Sequence, residues 1–423
     1  MVECCERSLT ILCRMSTGAV ELPKRRPKNR KEEILGVAAE LFARRGYAGV
    51  SVDEIGDRVG ITGPALYRHF RSKRDVLTVI LDRTMDALSG AATDPPGHRD
   101  VGLADPADPL RRIISRTTAV AMDSPAAFTV WLREARHHDP DTMSQFVELR
   151  RRSGVRWHAA ERQANASLTK AELRVREEAV VAVINALSRK PTAVTRTRLE
   201  ELATACAMAA VLVPPVRDDH GASGFDRRQP VGAPWSAPVS RQDLILGVAV
   251  PLFRAHGFAG VSIDQIGETA GLTGPSVYRY YDSKASILID AFDRADARVA
   301  VAAERAVASA RSADEALRLL IAAYAEIALD NADLYVVTTH EASALPFEER
   351  QRQSQRARAL ADRWVHVLTI LRPALTRHDV GLVVRAMFSV IHQLVQLPKP
   401  PTAAHLAAIA TAVATAELPG ATP

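Results

Sequence analysis

Apolar residues along this chain recur at three- and four-residue intervals, the period of an amphipathic helix, rather than alternating as they would in a half-buried strand. Ile34, Leu35, Ala38, Leu41 and Phe42 share one helical face, and Gly46 stands where a left-handed cap would end that helix. Ser51-Val-Asp-Glu54 reads as a capping box opening a second helix, with Ile55 and Val59 turned inward and Gly60 as its stop. Thr62 is then placed to cap a third helix whose first turn holds Pro64, where a missing N–H costs nothing. Leu66 and Phe70 lie four apart and belong in the core against Ile55, while Ser72-Lys-Arg-Asp75 reads as the cap of a fourth helix. Two short helices around a glycine turn, the second presenting Thr62, Gly63, Pro64, Tyr67, Arg68 and His69 outward, make the pattern of a helix-turn-helix.

The pattern occurs twice. Residues 34–77 recur as 245–288 at an offset of 211, roughly half identical and without a gap. A weaker echo follows at an offset of 207, pairing Glu134 with Glu341 and Trp157 with Trp364. Units of ~200 residues are too long for a solenoid repeat, so the chain reads as one protein duplicated and fused to itself. The expected organisation is a disordered tail (1–23), a first helix-turn-helix domain with a basic arm (24–88), and a first helical effector domain (89–213). A Pro-, Gly- and Ser-rich linker (214–239) leads to a second helix-turn-helix domain (240–290) and a second effector domain (291–423). The segments 176–187, 198–212, 379–397 and 402–417 are apolar and unbroken enough to pack as a bundle.

Composition narrows the classes. Aromatics are only 5% of the 423 residues and Ala, Leu, Val and Arg are abundant, which favours an all-α fold. Three of the four cysteines (Cys4, Cys5, Cys13) crowd the first thirteen positions and Cys206 reads as core, so neither a disulfide framework nor a zinc site is expected and the chain reads as cytoplasmic and reduced. No run approaches the ~20 apolar residues of a membrane helix, and the N-terminus, with Glu3 and Glu6 early, is a poor signal peptide. Translation from Met15 is the alternative to Met1. Neither phosphate-cradling loops nor nucleophile or zinc-protease motifs occur, so no catalytic residue and no cofactor is expected. His137-His138-Asp139 straddles different helix faces before a proline and is not read as a metal site. The net charge is +6, and the run 24–31 holds Lys24, Arg25, Arg26, Lys28 and Arg30. That run reads either as a solvated tail or, given its place before the first reader, as an arm lying along DNA phosphates or in the minor groove.

The strings GYAGVSVDEIGDRVGITGPALYRHFRSK (46–73) and GFAGVSIDQIGETAGLTGPSVYRYYDSK (257–284) resemble the N-terminal domain of TetR-type transcriptional regulators. WLREARHHDPDTMSQFVELRRRSGVRW (131–157) resembles the effector domain of actinobacterial TetR regulators of lipid metabolism. The tandem layout is similar to that of actinobacterial double-TetR repressors of mammalian-cell-entry and lipid or sterol genes. The resemblance implies DNA contacts from Ser51, Thr62, Gly63, Pro64, Tyr67, Arg68, His69 and Lys73 in the first copy. In the second it implies Ser262, Thr273, Gly274, Pro275, Ser276, Tyr278, Arg279, Tyr280 and Lys284. It also implies that the last two helices of each unit form a four-helix bundle, here within one chain as a pseudo-dimer, with further self-association open.

Candidate pocket residues are Trp131, Glu134, Trp157, His340, Glu341 and Trp364, with core packing or a buried ion pair as their competing fate. The resemblance implies release of a double-stranded DNA operator by a small apolar effector; acyl-CoA, sterol or other lipid-like molecules, or none, remain open. The readers are unequal: residues 24–88 hold fourteen Lys/Arg against nine Asp/Glu, whereas 240–290 hold four against five. An asymmetric operator is therefore expected. The competing reading is a ligand-binding or scaffold protein in which one or both modules no longer bind DNA.

Overall fold

The computed structural model describes residues 30–92, 107–134, 157–164, 168–189, 194–216, 240–341 and 347–418. The first unit opens with α1 (Arg30–Arg45), α2 (Val52–Val59), α3 (Gly63–Leu66) and α4 (Lys73–Ala91). Its body holds α5 (Asp108–Asp123), α6 (Pro125–Glu134), α7 (Lys170–Ser188) and α8 (Arg196–Val211), with residues 157–164 also helical. The second unit opens with α9 (Arg241–Gly260), α10 (Ile263–Thr269), α11 (Gly274–Val277) and α12 (Lys284–Ser309). Its body follows as α13 (Ala313–Asp330), α14 (Ala332–Glu341), α15 (Phe347–Leu371), α16 (Arg377–Val395) and α17 (Ala403–Ala414). No strand occurs among the described residues, so the fold is all-α and built of two tandem units.

Caps repeat with the units because short polar side chains satisfy the first free amides of a helix. Thr169 and Thr376 cap α7 and α16, and Thr195 and Thr402 cap α8 and α17, each accepting from the amide three residues on. Gly46 and Gly257 both sit at φ 73°, a left-handed conformation that ends α1 and breaks α9 at the matching place. α12 runs without interruption from the reader through position 290 to Ser309, so reader and body of the second unit share one rigid rod.

Each reader has its own small core. Ile34, Phe42, Ile55, Leu66, Phe70 and Ile80 are buried together, as are Ile245, Phe253, Ile266, Val277, Tyr281 and Ile287. The bodies share one larger core running from Leu110 and Ile184 to Leu406 and Leu418, which packs the two units together through hydrophobic burial.

Within that core, residues meet their own counterparts. Ser389 Oγ donates to the Ala182 carbonyl at 3.0 Å and Cys206 Sγ lies 3.7 Å from the Val413 carbonyl; both pairs are separated by 207 positions, the repeat offset. Contact between equivalent residues places a pseudo-two-fold axis between α7 and α16 and between α8 and α17. Gln393 Nε2 donates to Glu178 at 2.8 Å and Arg198 reaches Asp379 at 3.2 Å across the same seam. Burial pushes the Cys206 thiol up to about 12, so it packs as an inert apolar group.

Candidate nucleic-acid interface and ligand cavity

The helix-turn-helix geometry follows from its local chemistry. Ser51 Oγ accepts from the Glu54 amide at 3.1 Å, and Ser262 Oγ from the Gln265 amide at 3.0 Å. The reciprocal half of the expected capping box does not form in the first copy: the Glu54 carboxylate turns to the Arg45 guanidinium, because a charged partner outcompetes a neutral amide. The Thr62 and Thr273 hydroxyls also do not cap, although both residues hold the N-cap backbone conformation; Thr273 Oγ1 instead meets Ser276 Oγ at 2.7 Å.

α3 and α11 expose the side chains the sequence singled out. Tyr67 is 53% exposed and Tyr278 54%, high values for rings that would ordinarily be covered. Pro64, Arg68, His69, Pro275, Arg279 and Tyr280 are exposed beside them. Gly63 and Gly274 are buried, where an added Cβ would fall 1.9 Å from Asp53 Oδ1 and 1.8 Å from Asp264 Oδ1. They bring the reader helix hard against the preceding helix, a packing role that sequence reasoning missed.

Other expected contacts are engaged internally. Lys73 Nζ donates to the carbonyls of Tyr47 (2.9 Å) and Val50 (2.7 Å) and lies 4.3 Å from the Tyr47 ring centre. Lys284 Nζ repeats this with the carbonyls of Phe258 and Val261 at 2.7 and 2.5 Å. These lysines close the turn after the first helix of each reader, and a phosphate contact from Lys73 would draw on its third N–H. Arg30 reaches Glu33 at 2.9 Å and the Val59 carbonyl at 3.1 Å, folding it into the domain rather than extending it as an arm. Lys24, Arg25, Arg26 and Lys28 lie outside the described residues, as do His137 and His138.

A cavity of about 90 Å³ opens in the first body between α4, α5, α6 and α7. One water centre needs only ~10–15 Å³, so this is several waters' worth of space. Trp131 and Trp157 line it together with Met85, Phe128, Val181 and Glu177. Trp131 also packs against the reader core, so one side chain belongs to both compartments. Glu134 ends α6, and His340 and Glu341 end α14; their side chains lie outside the described residues. Among the described residues no cluster of metal-ligating side chains is found.

Trp364 is packed among aromatic rings. It is fully buried against Tyr324 and Phe388, with ring centres 5.8 and 5.2 Å away. Tyr335 Oη donates to Tyr324 Oη at 3.1 Å, which lies 2.6 Å from His392 Nε2. Burial holds His392 down at about 4 and raises the Tyr324 hydroxyl well above its usual value. The unfolded imidazole takes up a proton near 6.5, so this group's contribution is intact above 6.5 and is lost as pH falls toward 4. Thermal melts at pH 7 and pH 5 should show an acid destabilisation that His392→Asn reduces; an equal shift in both proteins would refute the assignment.

The family described as "Bacterial regulatory proteins, tetR family" matches residues 34–80 and again 245–291. Both reader domains belong to the TetR family. The HTH-type transcriptional activator FasR of Mycolicibacterium smegmatis is 42% identical over 59 residues, 14% of this chain and 27% of that protein. The repressor KstR2 of Rhodococcus jostii is 43% identical over 61 residues, 14% of this chain and 30% of that protein. The chain thus spans less than a third of the length of these relatives. The solved structure of KstR2 from Mycobacterium tuberculosis aligns with a TM-score of 0.36 at 22% identity, covering 41% of this chain and 91% of that one. These relatives are HTH-type transcriptional regulators rather than enzymes. Among the described residues no helix is long and apolar enough to cross a membrane.

The two TetR domains differ at the edge of the reader. Phe70-Arg71 in the first is Tyr281-Asp282 in the second, and the Tyr281 hydroxyl is spent inside, donating to Asp290 at 2.5 Å. Arg71, exposed in the first TetR domain, has an exposed carboxylate as its counterpart in the second.

Proposed function

We propose that this chain is a transcriptional repressor, working as a single-chain pseudo-dimer in the cytoplasm, that reads an asymmetric operator and is released by an apolar effector. The observation that carries the reading is the pair of outward tyrosines, Tyr67 and Tyr278, on two reader helices joined to bodies whose equivalent residues meet on one axis. Tyr67, Arg68 and His69, with Tyr278, Arg279 and Tyr280, are the proposed DNA contacts; Ser51, Thr62, Pro64, Lys73 and their counterparts Ser262, Thr273, Pro275, Ser276 and Lys284 flank them. Tyrosine hydroxyls and helix ends contact phosphate, and arginine addresses base edges in the major groove. The asymmetry follows from charge, since the first reader and its arm carry the basic excess and the second does not.

Release follows from shared helices. Met85 of α4 and Trp131 of α6 line the cavity while the same helices pack in the first reader core, so a ligand that prefers one spacing of the helices changes the reader's position. The curated relatives include both an activator and a repressor, and we assign repression to this chain as the direction to be tested. Lipid or sterol metabolism genes are the proposed targets.

The test is a salt-titrated binding assay on DNA flanking the chain's own gene. Tyr67→Ala should lower affinity by roughly tenfold, about 1.4 kcal/mol, with the log–log salt slope nearly unchanged because an uncharged hydroxyl releases no counterion. Tyr278→Ala should act at a different half-site and by a smaller factor. Two identical, equally protected half-sites in a footprint would refute the asymmetric operator. A Tyr278→Ala variant indistinguishable from the parent would favour the second reading, a regulator with one silent module, for which the acidic flank at Asp282 speaks.

A further inference from the structure

The helices Pro125–Glu134 and Lys170–Ser188 recur 207 positions on as Ala332–Glu341 and Arg377–Val395, so counterparts of the cavity's lining can be read off the sequence. The lining residues Thr117, Phe128, Trp157 and Val181 correspond, 207 positions on, to Tyr324, Tyr335, Trp364 and Phe388. Threonine has become tyrosine and valine phenylalanine, each a large gain in volume, against one loss at Thr338, the counterpart of Trp131. Those rings are in mutual contact: Tyr324 and Phe388 lie 4.7 Å apart between centres, and Tyr335 stacks on His392 at 4.5 Å. Tyr324 is 5% exposed and Trp364 0%, with the hydroxyl chain to His392 fixing the rings in place.

A second difference runs the same way. Beside the first cavity, sharing Glu177 with it, lies a depression lined by Arg162, Lys170, Arg174 and His158. Their counterparts are Thr369, Arg377, Gly381 and Val365, so three of the four cationic or ionisable groups are missing from the second unit.

We propose that the chain binds one small-molecule effector, in the first body only, and that the second site is closed by its own aromatic side chains. The ligand has an apolar body, seated against Trp131 and Trp157, and an anionic head facing Arg162, Lys170 and Arg174. Long-chain acyl groups ending in a carboxylate or carried on a phosphorylated thioester share that chemistry. A lone anion would lack the apolar contacts and a neutral hydrocarbon the charged ones. The regulatory meaning of this site rests on the repressor reading above; its occupancy does not.

The test therefore omits DNA. The full chain is titrated with cis-parinaric acid, a fluorescent acyl carboxylate, and the stoichiometry is taken from the break in the curve. One equivalent is expected. T117Y/V181F, which copies the second unit's rings into the first, should weaken binding at least tenfold, and Y324T/F388V should raise the stoichiometry toward two. Two equivalents in the parent, no binding, or binding unchanged by T117Y/V181F would overturn the proposal. Should a variant not fold, the parent alone decides: a photoactivatable palmitate should label residues among Met85, Thr117, Phe128, Trp131, Trp157 and Val181, and labelling at Tyr324, Trp364 or Phe388 would overturn it. Competition by palmitate against palmitoyl-coenzyme A then tells the two head groups apart. Absence of operator binding in the salt titration, with one acyl equivalent still bound here, would sink the repressor reading and leave this one standing.

Discussion

Arg176→Ala should destabilise the whole chain by about 2–4 kcal/mol, read as a lower urea midpoint at unchanged slope. Arg176 is fully buried in α7, an uncommon fate for a guanidinium. It is tolerated because its donors are spent: Nε on the Val211 carbonyl at 3.1 Å and Nη2 on the Val213 carbonyl at 2.5 Å. Both acceptors belong to buried residues at the C-terminal end of α8, so without the arginine they have neither a partner nor water. Relief of the guanidinium's own desolvation cost offsets part of this, which sets the upper figure. The second unit has Val383 at the matching position, also buried, so an aliphatic side chain fits the space there. Arg176→Val should therefore recover the packing but not the hydrogen bonds, and lie between the parent and Arg176→Ala. A change below about 0.5 kcal/mol for Arg176→Ala, the range of ordinary surface substitutions, would show that the two carbonyls find other donors.

Trp364→Ala should cost about 3–5 kcal/mol, whereas Trp157→Ala, at the equivalent position, should cost roughly half of that. Both tryptophans are buried, but their surroundings differ. Trp364 is enclosed by Tyr324 and Phe388, and its removal leaves a void that rigid rings cannot fill. Trp157 already faces open space, so its truncation forfeits less packing. Equal costs measured in parallel unfolding curves would mean that the two bodies are packed alike.

The helix-turn-helix modules were legible because their signals are local. Gly46, Gly60 and Pro64 set the turns by backbone conformation alone, and Leu66 and Phe70 are buried as their spacing requires. The bundle was legible for a different reason, since α7, α8, α16 and α17 are apolar over most of their faces and only another apolar helix satisfies them. Less visible was what depends on partners distant in sequence. Nothing in RVREE (174–178) marks Arg176 as interior, because its acceptors lie 35 and 37 residues away. The family resemblance makes phosphate contacts of Lys73 and Lys284, while the carbonyls they hold lie 23 to 26 residues earlier. The closure of the second body had a readable signal: the pairing of Trp157 with Trp364 carries the exchange of Thr117 for Tyr324 with it. The ring contacts that make the exchange a closure needed the folded chain.

The meeting of Cys206 with Val413 and of Ala182 with Ser389 has a consequence for how the molecule behaves when scarce. Regulators assembled from separate subunits come apart on dilution, and their reader pairs vanish with them. Here both sides of the axis are covalently joined, so the pairing has the same strength at a few copies per cell as in a concentrated solution.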